Sequence, residues 1–286
     1  DGNPLVPCRM AVATVKSAEQ MPADLYFSSL DGAWDSDNNG IYGEVTDQVD
    51  LEPEVFVGRA PVRTADEVAA FVDKLMTYEK HPVEGLTGRG LWIGAALDET
   101  TPGKDVITTI IKEAKVPRNI ENKILSTKDG NLNVEALCTE INEYLPHTVF
   151  FAAHGSPDLI ALDGSYYKNA QADELVNAFP HVYVATSCLT NRFDDDSLTE
   201  HLIRNPNGGA VACWACSRYG WYTPESAGYG ASDLMLKDFF NLLHRGYLEE
   251  APAMGEIIHR ARRKFMDRSQ SDGTFRWLTY GMNLLG

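Results

Sequence analysis

The run Thr148-Val149-Phe150-Phe151-Ala152-Ala153-His154-Gly155-Ser156 and, further along, Val182-Tyr183-Val184-Ala185-Thr186-Ser187-Cys188 decide how this chain is read. Each is a short, continuous apolar stretch, the pattern of a strand buried on both faces, and such strands belong to parallel sheets covered by helices. In an open parallel sheet, reactive groups collect where strands end at their carboxyl edge. One stretch delivers an imidazole there and the other a thiol. If the two strands are neighbours, His154 and Cys188 form a dyad. Gly155 then lets a backbone N–H approach a carbonyl, and the Cys188 N–H supplies a second donor of an oxyanion hole. Taken singly, a cysteine after a buried strand is ordinarily a small core residue and a His-Gly pair a turn. Two apolar strands that each end in a residue type the same reaction needs are a joint coincidence.

Working outward, β-rich runs at 54–57, 91–97, 123–126, 148–153, 182–186 and 210–215 alternate with amphipathic stretches. That order specifies an α/β fold with a mostly parallel central sheet and helices on both faces. The clearest helix spans 65–80, where Val68, Phe71, Val72, Leu75 and Met76 repeat at three and four residues after the capping box of Thr64 and Glu67. Ser197 and Glu200 repeat that start signal, and two further helices cover 232–245 and 252–268. No internal repeat or linker divides the chain, so residues 1–286 read as one domain. Its abrupt ends fit a piece of a longer precursor.

With 25 Lys+Arg against 41 Asp+Glu, the formal charge is 25 − 41 = −16. Such a balance repels phosphate backbones and anionic headgroups, which argues against nucleic acid or a membrane surface as partner and favours cationic or peptide ligands. No apolar run approaches the ~18–20 residues that span a bilayer, and residues 1–8 lack the zones of a signal peptide.

The strand ends resemble the histidine and cysteine motifs of the gingipain-like cysteine peptidases, relatives of caspases and legumains. Other blocks agree, in the family's order: Leu30-Asp31-Gly32-Ala33-Trp34-Asp35-Ser36-Asp37-Asn38-Asn39-Gly40-Ile41-Tyr42-Gly43-Glu44, then Pro53-Glu54-Val55-Phe56-Val57-Gly58-Arg59-Ala60-Pro61-Val62, and Gly208-Gly209-Ala210-Val211-Ala212 after the cysteine. The resemblance implies a caspase-like sheet and a secreted or cell-surface endopeptidase acting on protein or peptide substrates, with a pro-segment or flanking domains beyond this chain. It also implies that Asp98 or Glu99 supports the histidine, and that Asp105, Thr186, Trp221 and Glu225 contribute to substrate binding, with Asp105 at the base of a pocket for the residue before the cut; in so acidic a chain a carboxylate there favours Arg or Lys at that position. Ala153, and Leu189-Thr190-Asn191-Arg192 after the cysteine, depart from the better-known members and leave substrate preference open.

Two further motifs remain. Asp35, Asp37 and Asn39 place side-chain oxygens at alternate positions around a tight glycine turn, with the Ile41 carbonyl and the Glu44 carboxylate after them, an arrangement that suits structural calcium. The glutamate comes too early for an EF-hand, and the competing reading is a polar turn in an acidic protein. Cys213-Trp214-Ala215-Cys216 has dithiol spacing, yet it lies within a strand and has no second ligand pair, so it reads as core or, for one cysteine, a structural bridge. The Cys-His chemistry needs no organic cofactor. The rival to a peptidase is a catalytically silent, calcium-stabilised binding module of the same fold.

Overall fold

The computed structural model describes residues 5–83, 85–162, 164–249 and 252–286. A hairpin, β1 (Met10–Thr14) and β2 (Ala18–Pro22), precedes the main sheet. Then come β3 (Arg89–Gly94), β4 (Glu121–Ser126) and β5 (Thr148–Ala152). A small antiparallel sheet follows, of β6 (Gly155–Ser156), β7 (Leu159–Ala161) and β8 (Tyr166–Lys168), and β9 (His181–Ala185), β10 (Ala210–Cys216) and β11 (Met282–Leu285) complete the strands. The six-stranded central sheet has the order β11-β10-β9-β5-β3-β4, parallel except for the antiparallel β11. The expected α/β fold with a mostly parallel, caspase-like sheet is the fold observed.

Alternation along these strands builds two cores. Leu91, Ile93, Val149, Phe151, Tyr183 and Cys213 face one way, onto Leu137 and onto Leu198 and Leu202. Trp92, Phe150, Val184, Trp214 and Cys216 face the other way. The helices used below are α1 (Ala65–Lys80), α2 (Gly103–Glu113), α3 (Leu198–Arg204), α4 (Ala231–Glu249), α5 (Met254–Arg263) and α6 (Gly273–Gly281). α3 covers the first face, whereas α2, α4 and α5 cover the second through Ile107, Ile110, Phe239, Phe240 and Ile258. A third core joins the hairpin to Trp34, Trp277 and Tyr280.

Helix α1 has the bounds and the capping box that its sequence specifies, with Glu67 N donating to Thr64 Oγ1 at 3.2 Å. Its burial differs from the apolar repeat. Val68, Val72 and Met76 are exposed, and the residue it buries is Lys74, whose Nζ donates to Leu202 O at 3.1 Å and Ile203 O at 3.0 Å. The helix leans on the carboxyl end of α3, where unpaired carbonyls demand a cation more than a hydrocarbon.

Other expectations need correction. Residues 54–57 are not a strand, because this edge of the sheet is taken by β11; only Arg59 bridges to Leu285. The strand expected over 91–97 stops at Gly94, and the chain from 95 turns outward. After the two carboxyl-terminal helices come a short helix, Met266–Ser269, then α6 and β11. Cys213 and Cys216 are fully buried in opposite cores, since a three-residue spacing on a strand reverses the face, so this pair is no dithiol. All five cysteines are free.

Candidate active site

Because β5 and β9 are paired in parallel, with Phe151 opposite Ala185, their carboxyl ends emerge side by side. The segments that follow are packed tightly. A Cβ built on Gly155 would lie 2.7 Å from Cys188 O, 2.8 Å from Thr190 Cγ2 and 3.0 Å from Ser187 Cβ. The histidine and cysteine segments therefore touch at the one residue that has no side chain.

His154 is exposed, and its ring Nε2 stands 2.6 Å from Leu97 O. A carbonyl only accepts, so Nε2 carries a proton, and in the neutral ring Nδ1 keeps the lone pair. The ring also packs edge-on to Tyr222, at a centroid distance of 6.1 Å. Cys188 is partly buried with Sγ 3.9 Å from Gly220 O, and burial pushes its thiol above the ordinary value against the opposing backbone hydrogen bonds. Thiol and imidazole thus each face a carbonyl of a neighbouring loop, and the structure shows no Sγ–ring contact between them.

Two amides at these strand ends stay outside the regular backbone ladders. His154 O accepts from Ala161 N at 2.9 Å, so Gly155 opposite Ile160 is a non-hydrogen-bonded pair and its N–H stays out of the β6–β7 ladder. Among the described residues the Cys188 N–H donates to no other backbone group. The loop carrying Cys188 is braced from below. Asn191 Nδ2 donates to Ala215 O at 3.2 Å and Asn283 O at 3.0 Å, while Leu189, at φ 64°, donates its N–H to Arg218 O at 2.9 Å.

The remaining sequence-predicted residues divide into two groups. Asp98 and Glu99 follow the carbonyl that His154 contacts, but the ring's partner there is that Leu97 carbonyl and not a carboxylate. The slight desolvation of Asp98, which would raise its pKa, is outweighed by hydrogen bonds from Thr100, Thr101 and Tyr222, which hold it at about 2. Glu99 is exposed. Glu225, also exposed and at φ 59°, reaches the same loop by donating its N–H to Thr101 Oγ1 at 3.0 Å. Thr186 Oγ1 lies 3.4 Å from Phe151 O, at the seam between β5 and β9. Trp221 packs edge-on to Trp277 at 5.7 Å.

Asp105 is a correction. The chain from Gly103 is helix, not loop, and in the first turn of α2 Asp105 is a half-exposed carboxylate paired with Lys128 at 2.8 and 2.9 Å. It is turned towards the segment after β4 and is not the buried floor of a pocket. Tyr222 and Gly220 are site residues that the sequence reading passed over. Their only signal was adjacency to Trp221.

The segment 219–230 is fixed by the amino end of α4: Trp221 N donates to Ser232 Oγ at 2.8 Å, and Gly230 N donates to Asp233 Oδ2 at 3.0 Å. Burial drives the Asp233 carboxyl up to about 6, against the Gly230 hydrogen bond and Lys237, which lower it. Its ordinary value is near ~3.9. The folded chain thus binds more protons than the unfolded one between these values, so stability falls as pH rises from about 4 to 6, by on the order of 3 kcal/mol. Asp233→Asn removes this term. Its melting temperature relative to wild type is expected to climb across that window; parallel curves would refute the assignment.

The loop 35–47 gathers acids. Asp35, Asp37 and the buried Asp47 each place one oxygen within 4.8 Å of the others. Asp35 accepts from Asn39 N at 2.9 Å and Gly40 N at 3.1 Å, and Asn39 Nδ2 donates to Asp37 at 3.1 Å and Glu44 at 2.7 Å. Ile41 N donates to Asn39 Oδ1 at 2.7 Å. Asp47 accepts from Ser36 N at 2.8 Å and Glu44 N at 2.9 Å, so its inward position comes from the turn after Glu44, beyond the quoted motif. Among the described residues no lysine or arginine pairs with Asp35, Asp37, Glu44 or Asp47.

The model of peptidase family C25 matches residues 1–286. A solved structure named "Structure of Protease" shares the fold with a TM-score of 0.66 at 17% identity, over 93% of this chain and 58% of that one. This chain therefore spans little more than half of that longer protein. No curated protein matches. A match to the C25 model over the whole sequence, on the sheet whose edge joins the histidine and cysteine segments, makes this chain a member of peptidase family C25, the gingipain family of cysteine peptidases.

Proposed function

We propose that this chain is the catalytic domain of a cysteine endopeptidase, part of a longer secreted or cell-surface precursor, that cuts after arginine or lysine through a Cys188–His154 dyad. The observation that carries the reading is the close approach of Gly155 to Ser187 and Cys188. The thiol leaves the Gly220 carbonyl and gives its proton to His154 Nδ1. The resulting thiolate attacks the scissile carbonyl, and the oxygen's developing charge is met by the amides of Gly155 and Cys188. The Leu97 carbonyl holds the ring proton on Nε2, and the permanently ionised Asp98 favours the imidazolium formed in this step. That imidazolium then protonates the leaving amine, and water hydrolyses the thioester with the same ring as base.

A thiol held above its ordinary pKa is not a standing thiolate, so a base within reach is required rather than optional. The preference for a basic residue rests on Asp98, Glu99 and Glu225, which put carboxylates on one wall of the cleft, and on Trp221, whose ring suits an aliphatic stem or guanidinium. Asp105, held by Lys128, plays no part in it. A positional peptide library digested by wild type and Cys188→Ala tests the whole reading. Cleavage after Arg or Lys in wild type alone is expected. A wild-type preference for acidic or large apolar residues would end the basic specificity and leave the dyad standing.

The acidic loop fits structural calcium, because Asp35, Asp37 and Asp47 bring uncompensated like charges together in one turn. Asp35, Asp37, Asn39, the Ile41 carbonyl, Glu44 and Asp47 would hold the ion, and its chemistry there is charge neutralisation. Calcium at about a hundredfold over Kd would add about 2.7 kcal/mol, raising the melting temperature by roughly 5 °C. Chelator lowers it. A calcium response that survives Asp35→Ala with Asp37→Ala would place the site elsewhere.

A further inference from the structure

Resting on that reading, we infer that Tyr219, stacked on Trp277, is a platform for an aromatic or large aliphatic side chain of the substrate, at the position next to the cleaved residue on the acyl side (P2). Strand order sets the direction in which a substrate runs. His154 follows β5, Cys188 follows β9 and the segment 217–222 follows β10, with β9 between the other two. The histidine protonates the departing amine, so the leaving group lies on the β5 side of the sulfur. The acyl portion must then run along the β10 side, past residues 219–221.

That stretch is rigid. A Cβ on Gly220 would lie 2.0 Å from Thr186 O, and Gly220 O itself stands 3.9 Å from Cys188 Sγ. Just before it, the Arg218 guanidinium grips Asp194 at 2.9 and 2.7 Å and Gln20 O at 3.0 Å. Tyr219 and Trp221, on either side of Gly220, both turn towards Trp277: the Tyr219 ring lies parallel to it at 6.1 Å, and Trp221 is edge-on. Trp277 Nε1 donates to Tyr219 O at 2.9 Å, which fixes the stack to the backbone.

One face of the tyrosine is therefore spent on Trp277, while the residue as a whole remains 50% exposed. A large aromatic left half in water beside a candidate nucleophile, and unable to swing away, offers pre-ordered apolar surface to whatever lies along the cleft. The acids proposed to draw the basic residue sit where the loop 97–101 meets Tyr222 and Glu225, whereas residues 219–221 carry no charge, so the two positions are read by different chemistry.

The test uses fluorogenic peptides that share the residue wild type cuts after and differ only in the preceding position, Phe against Gly. Wild type is expected to favour Phe by about tenfold or more in kcat/KM, Tyr219→Ala to bring the ratio to about one, and Tyr219→Phe to keep it. The same two peptides, labelled and titrated into Cys188→Ala, should show the same ratio in Kd, and Cys188→Ala with Tyr219→Ala should lose it. Equal use and equal binding of the two peptides by the proteins that retain Tyr219, or a ratio unchanged by Tyr219→Ala, overturns the platform. Absence of turnover together with the binding difference would instead remove the peptidase reading and leave the platform in place.

Discussion

Cys188→Ala and His154→Ala are each expected to lower peptide hydrolysis by about four orders of magnitude or more, while far-UV CD and melting temperature stay close to wild type. The size follows from the division of labour. Without the sulfur no acyl-enzyme forms, and without the ring a thiol that burial keeps protonated has no base and the amine no acid. Folding is spared for a structural reason. His154 is exposed and Cys188 only partly buried, and neither belongs to one of the three cores. Because members of such a unit act together, the double variant should be no worse than either single one. Retained activity in either variant would end the dyad hypothesis, whatever the family.

The second large effect comes from a residue with no functional group. Gly155→Ala is expected to cost about a hundredfold in kcat/KM, since displacing reacting groups by about 1 Å has that order of consequence. The new methyl would meet Cys188 O at 2.7 Å, and a backbone carbonyl cannot swing aside as a side-chain tip can. Relief comes only by moving the histidine segment off the cysteine segment. The same shift carries the Gly155 amide away from the carbonyl it is proposed to polarise. Gly88→Ala serves as control: its methyl would find nothing nearer than Asn119 O at 3.8 Å, at the opposite edge of the sheet. Equal kinetics in the two variants would show that the contact at Gly155 does not set the spacing.

Some elements were legible because their signals are local. The apolar runs ending at His154 and Cys188 needed only the rule for doubly covered strands, and α1 declared its start through Thr64 and Glu67. Other elements had no such signal. β11 is four residues, Met282–Leu285, and is a strand because β10 offers it an open edge. The first turn of α2 reads as loop from Pro102-Gly103, yet glycine is required there: a Cβ on Gly103 would strike Ala95 O at 2.3 Å and Ala152 O at 2.5 Å. That packing is what carries Asp105 to Lys128 and away from the cleft.

The sequence by itself determined the layered α/β architecture, the family, and the placing of an imidazole and a thiol at strand ends, because strand burial and strand termination are written in runs of neighbouring residues. Tertiary structure alone decided what surrounds them. The carbonyl that fixes the His154 ring comes from Leu97 and the one beside the Cys188 thiol from Gly220, and Asp47 joins Asp35 and Asp37 from a separate turn. Each of these partners is brought in by chain closure across the sheet edge, and an atom supplied by the backbone, or by a distant turn, has no residue type through which a sequence could announce it.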